Sequence, residues 1–241
     1  MKTMNAKIFF FAIVIIFSIS GYAQELNLDQ ILDKYYKAMA LDKFQKINTV
    51  LMSGTTIQND AMPLKVYKMR PDFFLMEFDV QDITAYQAYD GKTGWMTAPW
   101  TGNNAPQIMN EDRLKDVKNR ADFDGLLYNF KQKGHSLYLN GTEKIENKEA
   151  YKIKIIRKDG GSEFLYIDKE NFYIIKRLSY RNIRGQEITV ETYYSEYKII
   201  EGIPFAFSTT TYFGGQLYSS SQYDSIQLNA EIDTHIFQMK K

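Results

Sequence analysis

The chain contains no cysteine. Disulfides, thiol catalysis and a lipid-modified N-terminal cysteine are therefore excluded. Histidine is almost missing as well. His135 and His235 lie far apart, neither with a metal-ligand partner at zinc-site spacing, so no metal is expected. No Gly-x-Ser-x-Gly elbow occurs and no phosphate-binding glycine-rich loop follows a strand, so neither catalytic residues nor a cofactor are expected. A charge excess is also absent, with 30 Lys and Arg against 29 Asp and Glu. Nothing in that balance favours nucleic acid or an anionic membrane surface.

What the chain does have begins with a targeting segment. Lys2 and Lys7 precede an almost continuous apolar run from Ile8 to Ile19, and Gly21-Tyr22-Ala23 supplies small residues for a signal peptidase. The run is near a dozen residues, short of the roughly 20 a spanning helix needs. Residues 1–23 are expected to be a cleaved signal peptide and residues 24–241 a single domain in an exported compartment. Losing Lys2 and Lys7 leaves 28 basic against 29 acidic residues, a net charge of −1.

Aromatic residues are abundant, with 18 Tyr and 16 Phe. They suit sheets and apolar pockets. Leu28, Ile31, Leu32, Tyr35 and Met39 share one face of a helix predicted over 27–41, which Asn27 and Gln30 start as a capping box. It reads as a cover for a sheet, with a movable lid as the alternative. A polar loop is expected over 99–106. Asn110 then caps a second helix carrying Leu114, Val117 and Ala121, and a short helical piece is predicted over 126–130. Asp122-Phe123-Asp124-Gly125 reads as helix termination, with a metal or sugar-nucleotide role as the alternative. Alternating runs and evenly spaced turns fill the rest. Some eleven strands are expected, enough to curl an antiparallel sheet toward an incomplete barrel.

The stretch from Leu64 to Pro99 organises the chain. It reads as four short strands, broken first at Arg70-Pro71, because proline cannot donate to a ladder. Phe74, Met76, Phe78 and Val80 alternate with Leu75, Glu77 and Asp79, the period of a half-buried strand. Asp90-Gly91 marks a hairpin before Trp95.

Arg70-Pro71, the aromatic strand, Asp90-Gly91-Lys92-Thr93-x-Trp95 and Pro99 together resemble the LolA-type outer-membrane lipoprotein-sorting proteins. Weaker echoes lie at 121–125 and 233–237. The resemblance implies a strongly curved antiparallel sheet, mainly β with a helical lid in its mouth. It implies a periplasmic, monomeric carrier that takes acylated lipoprotein or another lipid from an inner-membrane exporter toward an outer-membrane acceptor. Arg70 matches the family's arginine at the cavity mouth, which hydrogen-bonds the lid helices, with a strand-end cap or a pairing with a surface acid as the competing reading. Phe74, Met76, Phe78, Trp95, Trp100, Leu114 and Val117 are the candidate cavity residues, with plain packing as the competing reading for both tryptophans. Such a carrier removes a cost of about 0.8 kcal/mol per exposed CH₂. Two departures stand out: a longer second β half, and an insert whose lid face is dense in charge. The alternatives are a lipid- or lipoprotein-sensing module of the same fold and an envelope hydrolase with carboxylates that converge in space.

Overall fold

The computed structural model describes residues 25–80, 82–183 and 185–240. The targeting segment and its cleavage point lie outside the described residues. The first helix, α1 (Leu28–Ala38), starts at Asn27. The Asn27 side chain accepts from the Gln30 N–H, and the Gln30 side chain accepts from the Asn27 N–H, both at 3.0 Å. Two of the donors that a helix start leaves free are thereby satisfied. A one-turn helix, α2 (Leu41–Phe44), follows.

Six strands then run as a meander: β1 (Thr49–Ile57), β2 (Ala61–Met69), β3 (Phe73–Val80), β4 (Ile83–Asp90), β5 (Gly94–Ala98) and β6 (Asn103–Ile108). The helix α3 (Glu111–Ala121) separates them from seven more: β7 (Ser136–Ile145), β8 (Lys148–Ile156), β9 (Ser162–Asp168), β10 (Ile174–Ile183), β11 (Gln186–Ile200), β12 (Ile203–Phe213) and β13 (Gln216–Leu228). All thirteen form one sheet in the order β6-β5-β4-β3-β2-β1-β13-β12-β11-β10-β9-β8-β7. Both meanders are antiparallel throughout, and the pairing of β1 with β13 joins them. Gly54 sits at that seam. A Cβ there would lie 2.0 Å from the Gln222 carbonyl oxygen, so only glycine lets the irregular β13 backbone approach.

Curvature follows from what α3 touches. It packs on β3, β4 and β5, yet its Asp116 pairs with Arg181 of β10. β10 stands six places along the sheet from β3. At ~4.8 Å per strand a flat sheet would separate the two by about 29 Å. A helix about 16 Å long lying on one strand group cannot reach that far. The sheet therefore curls until its two halves face each other across α3, and it stays open between the edge strands β6 and β7.

Thirteen strands replace the expected eleven. The region predicted as a polar loop contains a short 3₁₀ turn (Pro99–Thr101) and then β6. β6 carries Pro106 and is mostly exposed, which an edge strand tolerates because its outer side needs no donor. The helical piece predicted over 126–130 is a run of turns instead. Gly125 and Asn129 both have positive φ, and this interrupts a helical path.

Candidate functional site

Five of the predicted residues meet on the concave face. Phe74 and Phe78 of β3 are buried with Leu64, Val66, Ala85, Tyr89 and Met96, and Met76 packs against them. α3 lays Leu114, Val117 and Ala121 on this bed. Gly94 makes the contact close: a Cβ there would sit 2.9 Å from Leu114 Cδ1 and 3.1 Å from Val117 Cγ1. Five methionines (Met52, Met62, Met76, Met96 and Met109) line the bed. Unbranched thioethers fill irregular gaps and re-pack easily.

The tryptophans go elsewhere. Trp95 is fully buried on the opposite face of the sheet, packed with Leu75, Ala88 and Phe237. Its indole N–H donates to the Phe237 carbonyl at 2.7 Å, fixing the C-terminal 3₁₀ turn (Thr234–Phe237) to the sheet. The sequence echo at 233–237 is this contact. Trp100 is exposed on the β5–β6 connection and stacks its ring on Phe78, with centroids 6.2 Å apart.

Arg70, just beyond the end of β2, is the hub of the polar contacts. Its Nε donates to the Ile47 carbonyl at 2.8 Å and its Nη2 to the Phe44 carbonyl at 3.3 Å, both in the segment that ends α2. Nη1 and Nη2 also donate to the two carboxylate oxygens of Asp124 at 2.8 and 2.6 Å. The guanidinium lies over the Phe123 ring, 4.4 Å from its centroid, and Phe123 stacks on Phe44. A planar cation that stacks and binds a carboxylate through two parallel bonds is chemistry that lysine cannot copy. Arg70 thus joins the chain after α3 to the chain after α2.

Asp122 ends α3, as its sequence predicts, and also ion-pairs with Lys133 at 2.6 Å. Lys133 donates to the Gly125 carbonyl as well, at 2.7 Å. Beside them Lys68 of β2 donates to the Asp122 carbonyl at 3.1 Å. Burial pushes the Lys68 ammonium down to about 8, partly offset by the charges of Asp122 and Asp124. With Asp116 clasped to Arg181, α3 is held by charge at its middle and just beyond its C-terminus.

Between the bed under α3 and the one under α1 the concave face carries a polar strip beside a further apolar cluster of Val50, Phe207 and Ile226. Thr192 and Thr211 share a hydrogen bond at 3.2 Å, and Ser221 donates to Thr56 at 2.9 Å. Arg177 and Arg157 both bind the fully buried Glu163. Arg120 of α3 reaches over this strip. It makes no ion pair among the described residues, and its Nη1 donates to Gln87 Oε1 at 3.5 Å. Burial and the nearby Arg181 and Arg177 lower its pKa, with Asp116 opposing them. Arg120 itself is exposed to solvent. Burial likewise raises the phenols of Tyr194 and, to about 12, Tyr223.

Sequence reasoning found Arg70 but not its partner. Asp124 had a sufficient local explanation as a turn residue, and only the echo at 121–125 pointed to it. Arg120 and Asp116 had no signal, since charges on an amphipathic helix ordinarily face water, and Arg181 had none as a charged residue near the end of a strand. The histidines are apart from this site. His135 Nδ1 accepts from the Lys158 N–H at 3.2 Å, and His235 pairs with Asp233 on the surface. Among the described residues, no group of three or more His, Asp or Glu is placed to hold a metal ion.

No family model matches the chain, and no curated protein matches it in sequence. Solved structures do match in shape. A DUF1329 family protein from Desulfovibrio piger is 12% identical, with a TM-score of 0.61, over 86% of this chain and 97% of that one. A LolA superfamily protein from Nitrosomonas europaea is 15% identical, with a TM-score of 0.58, over 89% of this chain and 98% of that one. A Vibrio parahaemolyticus domain assigned to the outer membrane lipoprotein-sorting proteins is 10% identical, with a TM-score of 0.57, over 86% of this chain and 95% of that one. At such identities the likeness is one of fold. The thirteen-stranded open sheet with helices in its concavity is a LolA-like fold.

Proposed function

We propose that this chain is an exported, periplasmic carrier that shields the acyl part of a lipoprotein or lipid against its concave face. The cargo would come from an inner-membrane exporter and pass toward an outer-membrane acceptor, with the carrier a monomer and no covalent step. The observation that carries this reading is the construction of α3. It covers a methionine- and phenylalanine-lined bed with only three apolar side chains, while ion pairs hold it in place. In this reading Arg70 is the latch. Breaking its bonds to Asp124 frees the chain after α3 and opens the bed. Acyl chains then replace α3 on the methionines, which adapt to any chain without a directional contact. Arg120 and the hydroxyl-lined strip beside the bed suit a polar or anionic head attached to the acyl chains.

Residues 24–241 incubated with spheroplasts, re-purified and analysed by mass spectrometry test this. Acylated proteins or lipids should co-purify and be displaced by a short-chain detergent. A protein that returns free of any acylated species, with wild-type protein and Arg70→Lys alike, would contradict the reading.

A further inference from the structure

Antiparallel meanders place every second hairpin at the same end of a sheet. Here the β1–β2, β3–β4, β5–β6, β10–β11 and β12–β13 connections share one end, because Ile57 pairs with Ser220 near the start of β13 and Phe213 pairs with Val190 near the start of β11. Six exposed apolar residues stand on those connections or directly beside them: Ile57, Ile83, Trp100, Ile183, Leu217 and Tyr218, each between 40 and 63% exposed. The connections at the other end are mostly polar: Arg70-Pro71-Asp72, Gly91-Lys92-Thr93, Glu146-Asn147 and Glu201-Gly202, with Phe172 and Tyr173 partly buried in the β9–β10 connection and two exposed apolar residues, Ile108 and Ile199, near this end.

From this asymmetry we infer that the hairpin tips form a docking rim that inserts into the surface of a lipid bilayer. The occupant follows from three features. First, the apolar side chains are carried singly on five separate hairpins along a curved edge. A yielding apolar phase meets all of them at once, whereas a folded partner would need one contiguous patch. Second, the set combines Trp and Tyr with Ile and Leu, the mixture suited to the interface and outer acyl region of a bilayer. Third, the tips are close to charge-balanced: with the β8–β9 connection, which is at the same end, Asp60, Asp82 and Asp159 stand against Arg157 and Lys158 among the described residues. Docking therefore proceeds on a zwitterionic surface and tolerates salt.

The rim also adjoins the candidate site. Trp100 stacks on Phe78 of the apolar bed, and Ile183 lies two residues from Arg181, which holds α3. Docking thus brings the bilayer to the edge of the concave face. The inference itself rests on topology and exposure, and stands whether or not α3 opens.

The chain has two tryptophans, one fully buried and one on the rim, so Trp100 is a built-in reporter. Residues 24–241 are mixed with phosphatidylcholine vesicles and followed by flotation and by quenching of tryptophan emission with brominated acyl chains. The protein should float with the vesicles, Trp100 emission should shift to the blue and be quenched, and 0.5 M salt should leave both readouts nearly unchanged. A Leu217→Ser/Tyr218→Ser variant should bind at least tenfold more weakly with unchanged thermal stability, and Ile199→Ser should bind as wild type. Absence of flotation together with an unshifted Trp100 overturns the inference. So does equal weakening by Ile199→Ser, or a wild-type dimer that the rim variant turns into a monomer. Lipid found inside the protein without vesicle docking would retain the carrier reading and remove the rim.

Discussion

The two halves of the concave face are covered by helices of equal length, and they are covered differently. α1 buries Ile31 and Leu32 on Ile153, Ile155, Leu165 and Ile167 of β8 and β9, with Leu28, Tyr35 and Tyr36 around them. Apart from its own caps, its specific polar tie is the Tyr36 hydroxyl, which donates to the Leu127 carbonyl at 2.7 Å. α3 meets a bed of Phe and Met with Leu114, Val117 and Ala121, and ion pairs to Arg181, Lys133 and Arg70 hold it and the residues that follow it. A helix fixed by branched apolar packing leaves only when the core opens. A helix fixed mainly by charge can leave when a few bonds change partner. The first belongs to the permanent scaffold, and the second has the construction of a lid.

The strongest break in this comparison comes on the α1 side. Ile31→Ala removes fully buried methyl groups and should lower global stability by about 2–5 kcal/mol, measured by urea denaturation. Leu114→Ala should cost less than half as much, because Leu114 is only partly buried. Next comes Arg70→Lys. It loses the bidentate contact to Asp124 and the stacking on Phe123, and opening of α3 should become easier by about 1–2 kcal/mol. Amide exchange over residues 111–130 should then speed up about 5- to 30-fold, with α1 unaffected. Asp116→Asn removes an ion pair between two half-exposed side chains. Its effect on the same amides should be about 0.2–1 kcal/mol and vanish in high salt.

Lys68 supplies a dependence on pH. Its ammonium has a pKa near 8 in the folded chain against an ordinary value of 10.5. Below pH 8 both states are protonated and the folded state bears the full burial penalty. Between pH 8 and 10.5 the folded state has released the proton while the unfolded state still holds it, so Lys68 destabilises less as pH rises. The stability of wild type relative to Lys68→Met should therefore increase across that window in parallel melts, while a flat difference would mean that Lys68 is not buried as described.

How much of this was legible beforehand depends on range. The capping box at Asn27, the Asn110 cap, the break at Arg70-Pro71 and the Asp90 hairpin are set by neighbouring residues, and each stands where the sequence placed it. The alternation of Phe74, Met76 and Phe78 gave one buried face of β3, while Leu75, expected on the outer face of a half-buried strand, is itself buried with Trp95 and Phe237. Contacts between distant residues were not readable. Arg70 and Asp124 are separated along the chain by four strands and a helix, and nothing local to either asks for the other. Trp95 was indistinguishable from a cavity residue because β5 is buried on both faces. The polar strip was hidden for the opposite reason. Its Thr and Ser residues alternate on long strands as surface residues do, and only curvature turns that surface inward.

The central claim is that α3 opens independently of the rest while α1 does not. Native-state hydrogen exchange, comparing residues 111–121 with residues 28–38 in one sample, tests it directly. The amides of α3 should exchange through a local opening, faster than global unfolding allows, and faster still in Arg70→Lys. Those of α1 should exchange only at the rate of global unfolding. Equal protection of the two helices, unchanged by Arg70→Lys, would contradict the account and make α3 a fixed part of the core.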